Sequence, residues 1–449
     1  MSHQSNYRKA LRYLYSLTDY EKRGFAAYAP EHYNLARMDR LLALLGDPLQ
    51  AFRAVHVAGT KGKGSTAAMI DAVLRAAGYR TGLYTSPHLH TFRERIQVQG
   101  DMIPEADVLR LINKIQPLAD RIPAITTFEV MTGLAFAWFA EQGIDWAVLE
   151  VGLGGRLDAT NVVTPAVSVI TSISLDHVVI LGDTLAQIAA EKAGIVKPGV
   201  PVVSAPQRAE ALDVIRDTCR RLGAPLTLVG DDWNWQAGAA DLDGQHFSLH
   251  GEGQILDGLW IPLLGDYQLA NAATAVATIQ RLREAGADIS DAALRRGLQT
   301  VHWPGRLEIL ARAPFVVADS AHNGDSARKL REALETYLDF RELIVILGAS
   351  ADHVTPELLQ ALLSGAGRAI ATQARHPRAA SPDWLQSQAA EAGFQMELSD
   401  TVPQALDLAL SGAHARDLIL CTGSVFVAAE ARGAWFARQG LPLPPVDPF

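Results

Sequence analysis

The stretch Val57-Ala-Gly-Thr-Lys-Gly-Lys-Gly-Ser-Thr66, VAGTKGKGST, decides how this chain is read. It leaves an apolar run, AVHVAG (54–59), and enters a run from about Lys63 to Ala77 with Ala, Met, Ile, Val and Leu at helical spacing. Strand, glycine-rich turn and helix in that order aim backbone N–H groups from a helix start, the usual seat of a bound anion. Gly59, Gly62 and Gly64 permit close backbone approach. Lys63 brings a charge that reaches the β/γ-phosphates of a nucleotide, and Ser65 or Thr66 brings a hydroxyl for Mg²⁺. The common phosphate loop has glycine five positions before its Gly-Lys pair, with Ser or Thr directly after the lysine. Here Val57 takes the first of those places and Gly64 separates Lys63 from Ser65. The alternative is a plain strand-to-helix turn with solvated lysines. Strand, three glycines, two lysines and helix in register favour a nucleotide site of variant spacing.

Outward from this loop, short apolar runs alternate with helical patterns, as in a mostly parallel sheet flanked by helices. RTGLYT (80–85), WAVLEVG (146–152) and AVSVITSI (166–173) read as strands; 104–119, 127–142, 184–193 and 207–222 read as helices. From 226 to 262 the helical period is lost among Gly and Asp turns, which predicts a small antiparallel insertion. Helices follow at 267–284 and 291–298. After QTVHWPGR (299–306), strand–helix alternation restarts with FVVADS, ELIVILGAS, AIATQA and LILCTGS. The expected fold is therefore α/β with two domains. Residues 1–301 form a P-loop domain with a mostly parallel sheet and a small antiparallel insertion; residues 302–449 form a Rossmann-like α/β domain, with Trp303-Pro304-Gly305 as the hinge.

The bulk properties exclude several classes. At 449 residues, 49% apolar and 20% charged, the chain is globular rather than disordered. A net charge of −9 argues against general nucleic-acid binding. Cys219 and Cys421 offer neither a disulfide framework nor a metal spacing. MSHQSNYRKALRYLYSLTDYEKRG (1–24) lacks the apolar core of a signal peptide, and no run approaches a membrane span. A cytoplasmic protein that engages neither membrane nor nucleic acid is expected.

GTKGKGS resembles the shortened phosphate loop of the Mur-ligase superfamily. With Gly before Ser it looks most like the folylpolyglutamate synthase/dihydrofolate synthase family, whose members use ATP to join a carboxylate to an amine. That family usually has Asn where this chain has Lys61. Further motifs occur in order along the chain. TSPHLHTFRERIQVQG (85–100) is similar to the family's Ser-Pro-His-Leu…Glu-Arg-Ile segment, and LEVGLGGRLDATN (149–161) is the most specific match. TTFEVMT (126–132), SLDHVVILGDT (174–184), AAEKAGIVKPG (189–199), GDYQLANAATAVAT (265–278), WPGRLE (303–308), DSAHN (319–323) and CTGSVFVAAEAR (421–432) complete the series. The resemblance runs from about residue 8 to residue 432.

It implies that Gly59, Thr60, Lys61, Gly62, Lys63, Gly64, Ser65, Asn271, Arg306, Asp319 and His322 bind ATP. Metal coordination falls to Ser65, Ser86, Glu150 and His177, around two Mg²⁺ ions. Thr126, Thr127, Phe128, Glu129, Leu157, Asp158 and Ala159 face the folate. Lys63, Lys192 and His177 are the catalytic set, with Lys192 carbamoylated. The implied substrates are ATP, L-glutamate and a folate or dihydropteroate, in a monomeric enzyme whose need for a monovalent cation stays open. The expected route is an acyl phosphate attacked by the glutamate amine, with no protein nucleophile. Ser320 replaces the usual Gly of DSAHN, and His353 and Val354 replace the usual Lys and Asp after Asp352. Two other readings stand beside this one: an amide ligase acting on a non-folate carboxylate, and an ATP-hydrolysing switch.

Overall fold

Runs of Val, Ile and Leu that are buried from end to end pair as parallel strands covered on both faces. In the computed structural model, which describes residues 3–18 and 33–447, such runs build a first sheet of eight strands. They are β1 (Arg53–Ala58), β2 (Thr81–Tyr84), β3 (Ile96–Val98), β4 (Asp101–Met102), β5 (Trp146–Glu150), β6 (Val167–Ile170), β7 (Val202–Ser204) and β8 (Leu226–Leu228). Their order is β4-β3-β2-β5-β1-β6-β7-β8. The six strands from β2 to β8 are parallel, whereas β3 and β4 form an antiparallel edge. Residues 1–2 and 19–24 of the stretch scanned for a targeting signal lie outside the described residues.

The register sets the site. Val57 lies opposite Glu150, and Ala58 opposite Ile170, so the carboxyl ends of β5, β1 and β6 finish side by side. β1 lies between β5 and β6; the chain runs from β1 to β2 on one side and reaches β6 on the other side from β5, a switch point of the kind where open α/β sheets hold ligands. One face of the sheet packs the helix Lys63–Ala76 against the helices Asp266–Glu284 and Asp291–Thr300. The other face packs Glu105–Ala119 and Thr127–Glu141, with His3–Ser16 and Leu35–Leu45 outside them. Met69, Ile70, Phe136 and Phe139 are fully buried there, each contributing about 1.5–3 kcal/mol relative to exposure.

The antiparallel insertion is shorter than expected. Leu226–Leu228 pairs in parallel with β7 and belongs to the main sheet. Only β9 (Trp233–Asp241), β10 (Gly244–Gly251) and β11 (Gln254–Ile261) form the separate antiparallel sheet. A three-residue strand at the end of a long sheet is too short to show a period, so the turn-rich sequence after it masked it. The edge hairpin β3/β4 escaped for the same reason.

A second sheet holds β12 (Glu308–Arg312), β13 (Phe315–Ala318), β14 (Leu343–Leu347), β15 (Arg368–Ala371), β16 (Glu397–Leu398) and β17 (Leu418–Thr422), in the order β12-β13-β17-β14-β15-β16. All its pairs are parallel except β12/β13. No helix among the described residues is long and apolar enough to cross a membrane. We call the part built on the first sheet the first lobe and the part built on the second sheet the second lobe.

Candidate active site

The phosphate loop lies between β1 and the helix Lys63–Ala76. That helix begins at Gly62 with no side-chain cap, so its first-turn N–H groups are free of the competitor that usually occupies them. Thr60 and Lys61 N–H instead donate to the Ser172 carbonyl, at 2.9 and 3.1 Å, which pins the loop to the end of β6. Gly62 has φ +86°, and a Cβ there would lie 2.2 Å from Asn271 Oδ1. Asn271 therefore packs directly on the loop. The glycine that breaks the common spacing has a physical reason as well: a Cβ on Gly64 would lie 2.5 Å from the Trp303 indole. The loop and the Trp303 indole are fitted to each other.

Glu150, at the end of β5, is 4% exposed. Ser86 N–H donates to its Oε2 at 3.0 Å, and Lys63 Nζ stands 3.9 Å from Oε1. Burial pushes its carboxyl above the usual range, with Lys63 offsetting part of the shift. Lys192 is buried too, donating from Nζ to the Gly59 carbonyl at 2.8 Å. Desolvation, reinforced by Lys63, lowers its pKa to about 7. A cavity of about 30 Å³ beside it is lined by Lys63, Gly59, Asp176 and His177.

Asp176 and His177 come after β6. His177 has φ +50°, a left-handed conformation that costs a non-glycine residue energy and is retained where the surroundings demand it. Lys61 pairs with Asp176 at 2.9 Å and reaches His322 Nε2 of the second lobe at 3.3 Å. Burial would raise the Asp176 carboxyl, yet His322 and Lys61 together hold it well below the usual range. Lys61 thus ties the phosphate loop to Asp176 of the first lobe and His322 of the second.

The residues assigned to the folate divide into two kinds. Thr126 and Glu129 form a capping box on the helix Thr127–Glu141, and Arg37 pairs with Glu129 at 2.9 Å. Thr127 Oγ1 donates to the Leu14 carbonyl. Asp158 accepts from Leu153 N at 2.9 Å and Thr160 N at 3.0 Å. These polar groups are engaged in organising the wall. Phe128, Leu157 and Ala159 supply its apolar surface.

In the second lobe, both oxygens of Asp319 accept backbone N–H groups, from Leu307 and Ala321, each at 2.7 Å. Arg306 Nη1 donates to the Gly305 carbonyl, and His322 Nδ1 meets the Ser320 carbonyl at 3.0 Å. Ser320 is accommodated because its hydroxyl donates to the Gly305 carbonyl at 3.1 Å. His353 stacks edge-on to His322 at 5.2 Å and lies 6.5 Å from His177. Val354 packs on the second-lobe core.

One cavity of about 1350 Å³ is lined from both lobes. It gathers Thr60 to Ser65, Ser86, Glu150, Asp176, His177 and Asn271 with Arg306, Asp319, His322 and His353, and with the seven residues assigned to the folate. Gly59 and Lys192 lie in the small adjoining cavity instead. Sequence reasoning missed Arg37, His88, Arg95 and Arg378, which also line the large cavity. Arg95 and His88, joined at 2.8 Å, stood inside a quoted motif; Arg37 and Arg378 carried no signal beyond their charge.

The donors suit a hard cation. Glu150 is a buried carboxylate whose Oε1 faces a lysine only at 3.9 Å, and Ser65 and Ser86 line the same cavity. Mg²⁺ takes few protein ligands and completes its shell with water and phosphate oxygens. Among the described residues no group of three His, Cys, Asp or Glu side chains could hold a metal ion, so these residues do not make an all-protein cage.

Two family models match the chain. The Mur ligase middle domain matches residues 57–279, and the Mur ligase glutamate ligase domain matches residues 305–425. The dihydrofolate synthase/folylpolyglutamate synthase of Bacillus subtilis is 41% identical over 338 residues, covering 73% of this chain and 78% of that protein. A "probable bifunctional folylpolyglutamate synthase/dihydropteroate synthase" of Haloferax volcanii is 39% identical over 88% of this chain, which spans only 48% of that protein's length. The structure of Mycobacterium tuberculosis folylpolyglutamate synthase complexed with ADP superposes with a TM-score of 0.88 at 33% identity, over 97% of this chain and 99% of that one. With identity of this level over most of both chains, the membership is plain: this chain belongs to the folylpolyglutamate synthase/dihydrofolate synthase family of Mur ligases.

Proposed function

We propose that the protein is an ATP-dependent ligase that forms an amide between L-glutamate and a folate-type carboxylate, either dihydropteroate or a tetrahydrofolate. The observation that carries this reading is the shared cavity. In it the uncapped helix start, Lys63 and Glu150 of the first lobe face Arg306, Asp319 and His322 of the second. The B. subtilis relative bears the name of both reactions, and the M. tuberculosis structure holds ADP.

A carboxylate is a poor electrophile, so it must be activated before an amine attacks. In the proposed sequence a carboxylate oxygen of the acid bonds to the γ-phosphorus and the β–γ bridging bond breaks, releasing ADP. The glutamate amine then bonds to the acyl carbon, gives up a proton, and phosphate departs. Such transfer depends on positioning and charge neutralisation. The helix start and Lys63 hold the phosphates, and Asn271 and Arg306 orient the nucleotide from either lobe. Glu150, Ser65, Ser86 and His177 would hold magnesium, which when bound neutralises phosphate charge. Phe128, Leu157 and Ala159 present an apolar wall to the acid, kept in shape by Thr126, Thr127, Glu129 and Asp158. Lys192 is suited to carbamoylation because a pKa of about 7 leaves much of its amine neutral and nucleophilic. Two domains dividing near residue 302 would close on the nucleotide. We further place the enzyme in the cytoplasm as a monomer.

ADP release, measured with dihydropteroate and tetrahydrofolate separately, each with and without glutamate, tests the reading. Release that needs both an acid and glutamate is expected. Equal release without either would instead identify an ATP-driven switch, and release only with other carboxylates would identify a non-folate ligase.

A further inference from the structure

The segment after the helix Val425–Gln439 crosses from the second lobe back to the first. Asp447 accepts from Thr91 Oγ1 at 2.8 Å and from Phe92 N–H at 2.9 Å, so both of its carboxylate oxygens are used on one turn of the first lobe. That turn is internally organised by Glu94, which accepts from Leu89, His90 and Thr91 N–H. A second tie comes from the same helix: Arg432 pairs with Glu308 at 2.8 Å and approaches His90 Nε2 at 3.3 Å. Between Gly440 and Asp447 the segment lines the shared cavity with Leu443, Pro444 and Val446. Leu443 and Val446 are 63% and 72% exposed, so their apolar faces are open to whatever fills that cavity. The segment that Asp447 ties down runs back to Ser86, whose N–H meets Glu150.

We propose that residues 441–447 form a strap between the lobes and that Asp447 is a positioning residue for the acid substrate. It fixes the segment 86–95 through the Thr91 and Phe92 hydrogen bonds and holds Leu443 and Val446 against the aromatic part of the acid. Its ties fall on Thr91 and Phe92 rather than on the phosphate loop 59–65, so its effect is assigned to the acid and not to the nucleotide. This rests on the folate-ligase reading for the identity of the acid, though not for the strap itself.

The test combines steady-state kinetics with hydrogen–deuterium exchange on full-length Asp447→Ala, Asp447→Asn and Thr91→Val proteins. Asp447→Ala is expected to raise KM for the pteroate or folate acid about 5–10-fold, with KM for ATP and kcat at saturation within about twofold. Asp447→Asn, which keeps an acceptor for Phe92 N–H and a polar partner for Thr91, should restore most of the affinity. Thr91→Val should fall between. The peptide covering residues 88–98 should exchange faster in Asp447→Ala than in wild type and near wild type in Asp447→Asn. An unchanged acid KM in Asp447→Ala, an equal rise in KM for ATP, or unaltered exchange would overturn the proposal. A wild-type protein with no acid-dependent ADP release would defeat the functional reading, and the exchange comparison would still decide whether the strap exists.

Discussion

Glu150 and the pair Glu129 and Asp158 are all buried acids beside the same cavity, yet their surroundings differ. Burial pushes all three carboxyls upward. Glu129 is answered by Arg37 at 2.9 Å and by the Thr126 N–H; Asp158 is answered by two backbone N–H groups and the Thr160 hydroxyl. Glu150 has one N–H and a lysine 3.9 Å away. A buried charge with a full set of partners is architecture, whereas one left partly answered awaits a ligand. On the function proposed above, the contrast separates the reacting end of the cavity from the wall that shapes it.

The most severe way to break the contrast is Lys63→Ala, which removes the cation facing Glu150. Turnover, measured as ADP release, should fall about a thousandfold with the melting temperature nearly unchanged. Near-normal turnover would remove Lys63 from the chemistry. Exchanging the two kinds of acid sharpens the point. Glu150→Gln should lower kcat/KM about a hundredfold and flatten the magnesium titration, at no cost in stability. Glu129→Gln should leave the magnesium titration alone and destabilise by about 1–3 kcal/mol, since Arg37 loses its counter-charge in a buried setting. If urea unfolding gave both variants the same loss, the contrast would fail.

Lys192 extends the comparison to a buried base. In protein kept free of the carbamate, its amine pKa falls from the ordinary lysine value of 10.5 to about 7 on folding, so between those values the unfolded chain holds a proton that the native chain has released. Stability must then rise with pH from about 7 to about 10.5, by up to about 1.4 kcal/mol per pH unit, and be insensitive to this group below 7. Lys192→Met should flatten that slope in urea unfolding between pH 7.5 and 9.5. The smallest effect belongs to Ser320→Gly, which deletes a hydrogen bond to Gly305. About 0.5–1.5 kcal/mol of stability should be lost, with kcat within twofold. A larger kinetic change would give the serine a role in the reaction.

Much of the site was legible in the amino-acid order. The loop after β1, Glu150 at the end of β5, and Asp176 with His177 after β6 could be placed because buried parallel strands announce themselves as unbroken apolar runs. The roles within the folate group were less legible. Whether Glu129 meets a ligand or Arg37 depends on a residue 92 positions away, and no local period encodes that distance. The extent of the antiparallel insertion and the Lys61–Asp176–His322 link were hidden for related reasons.

The amino-acid order alone determined the strand–loop–helix unit, the restart of alternation after residue 302, and the kinds of charge placed at strand ends, because all of these depend on neighbours along the chain. Only the tertiary structure decided which charges are answered, why Gly64 must be a glycine beside Trp303, and that Asp447 returns to Thr91 and Phe92. Those outcomes depend on distances between segments remote in sequence, and packing sets such distances only once both sheets are complete.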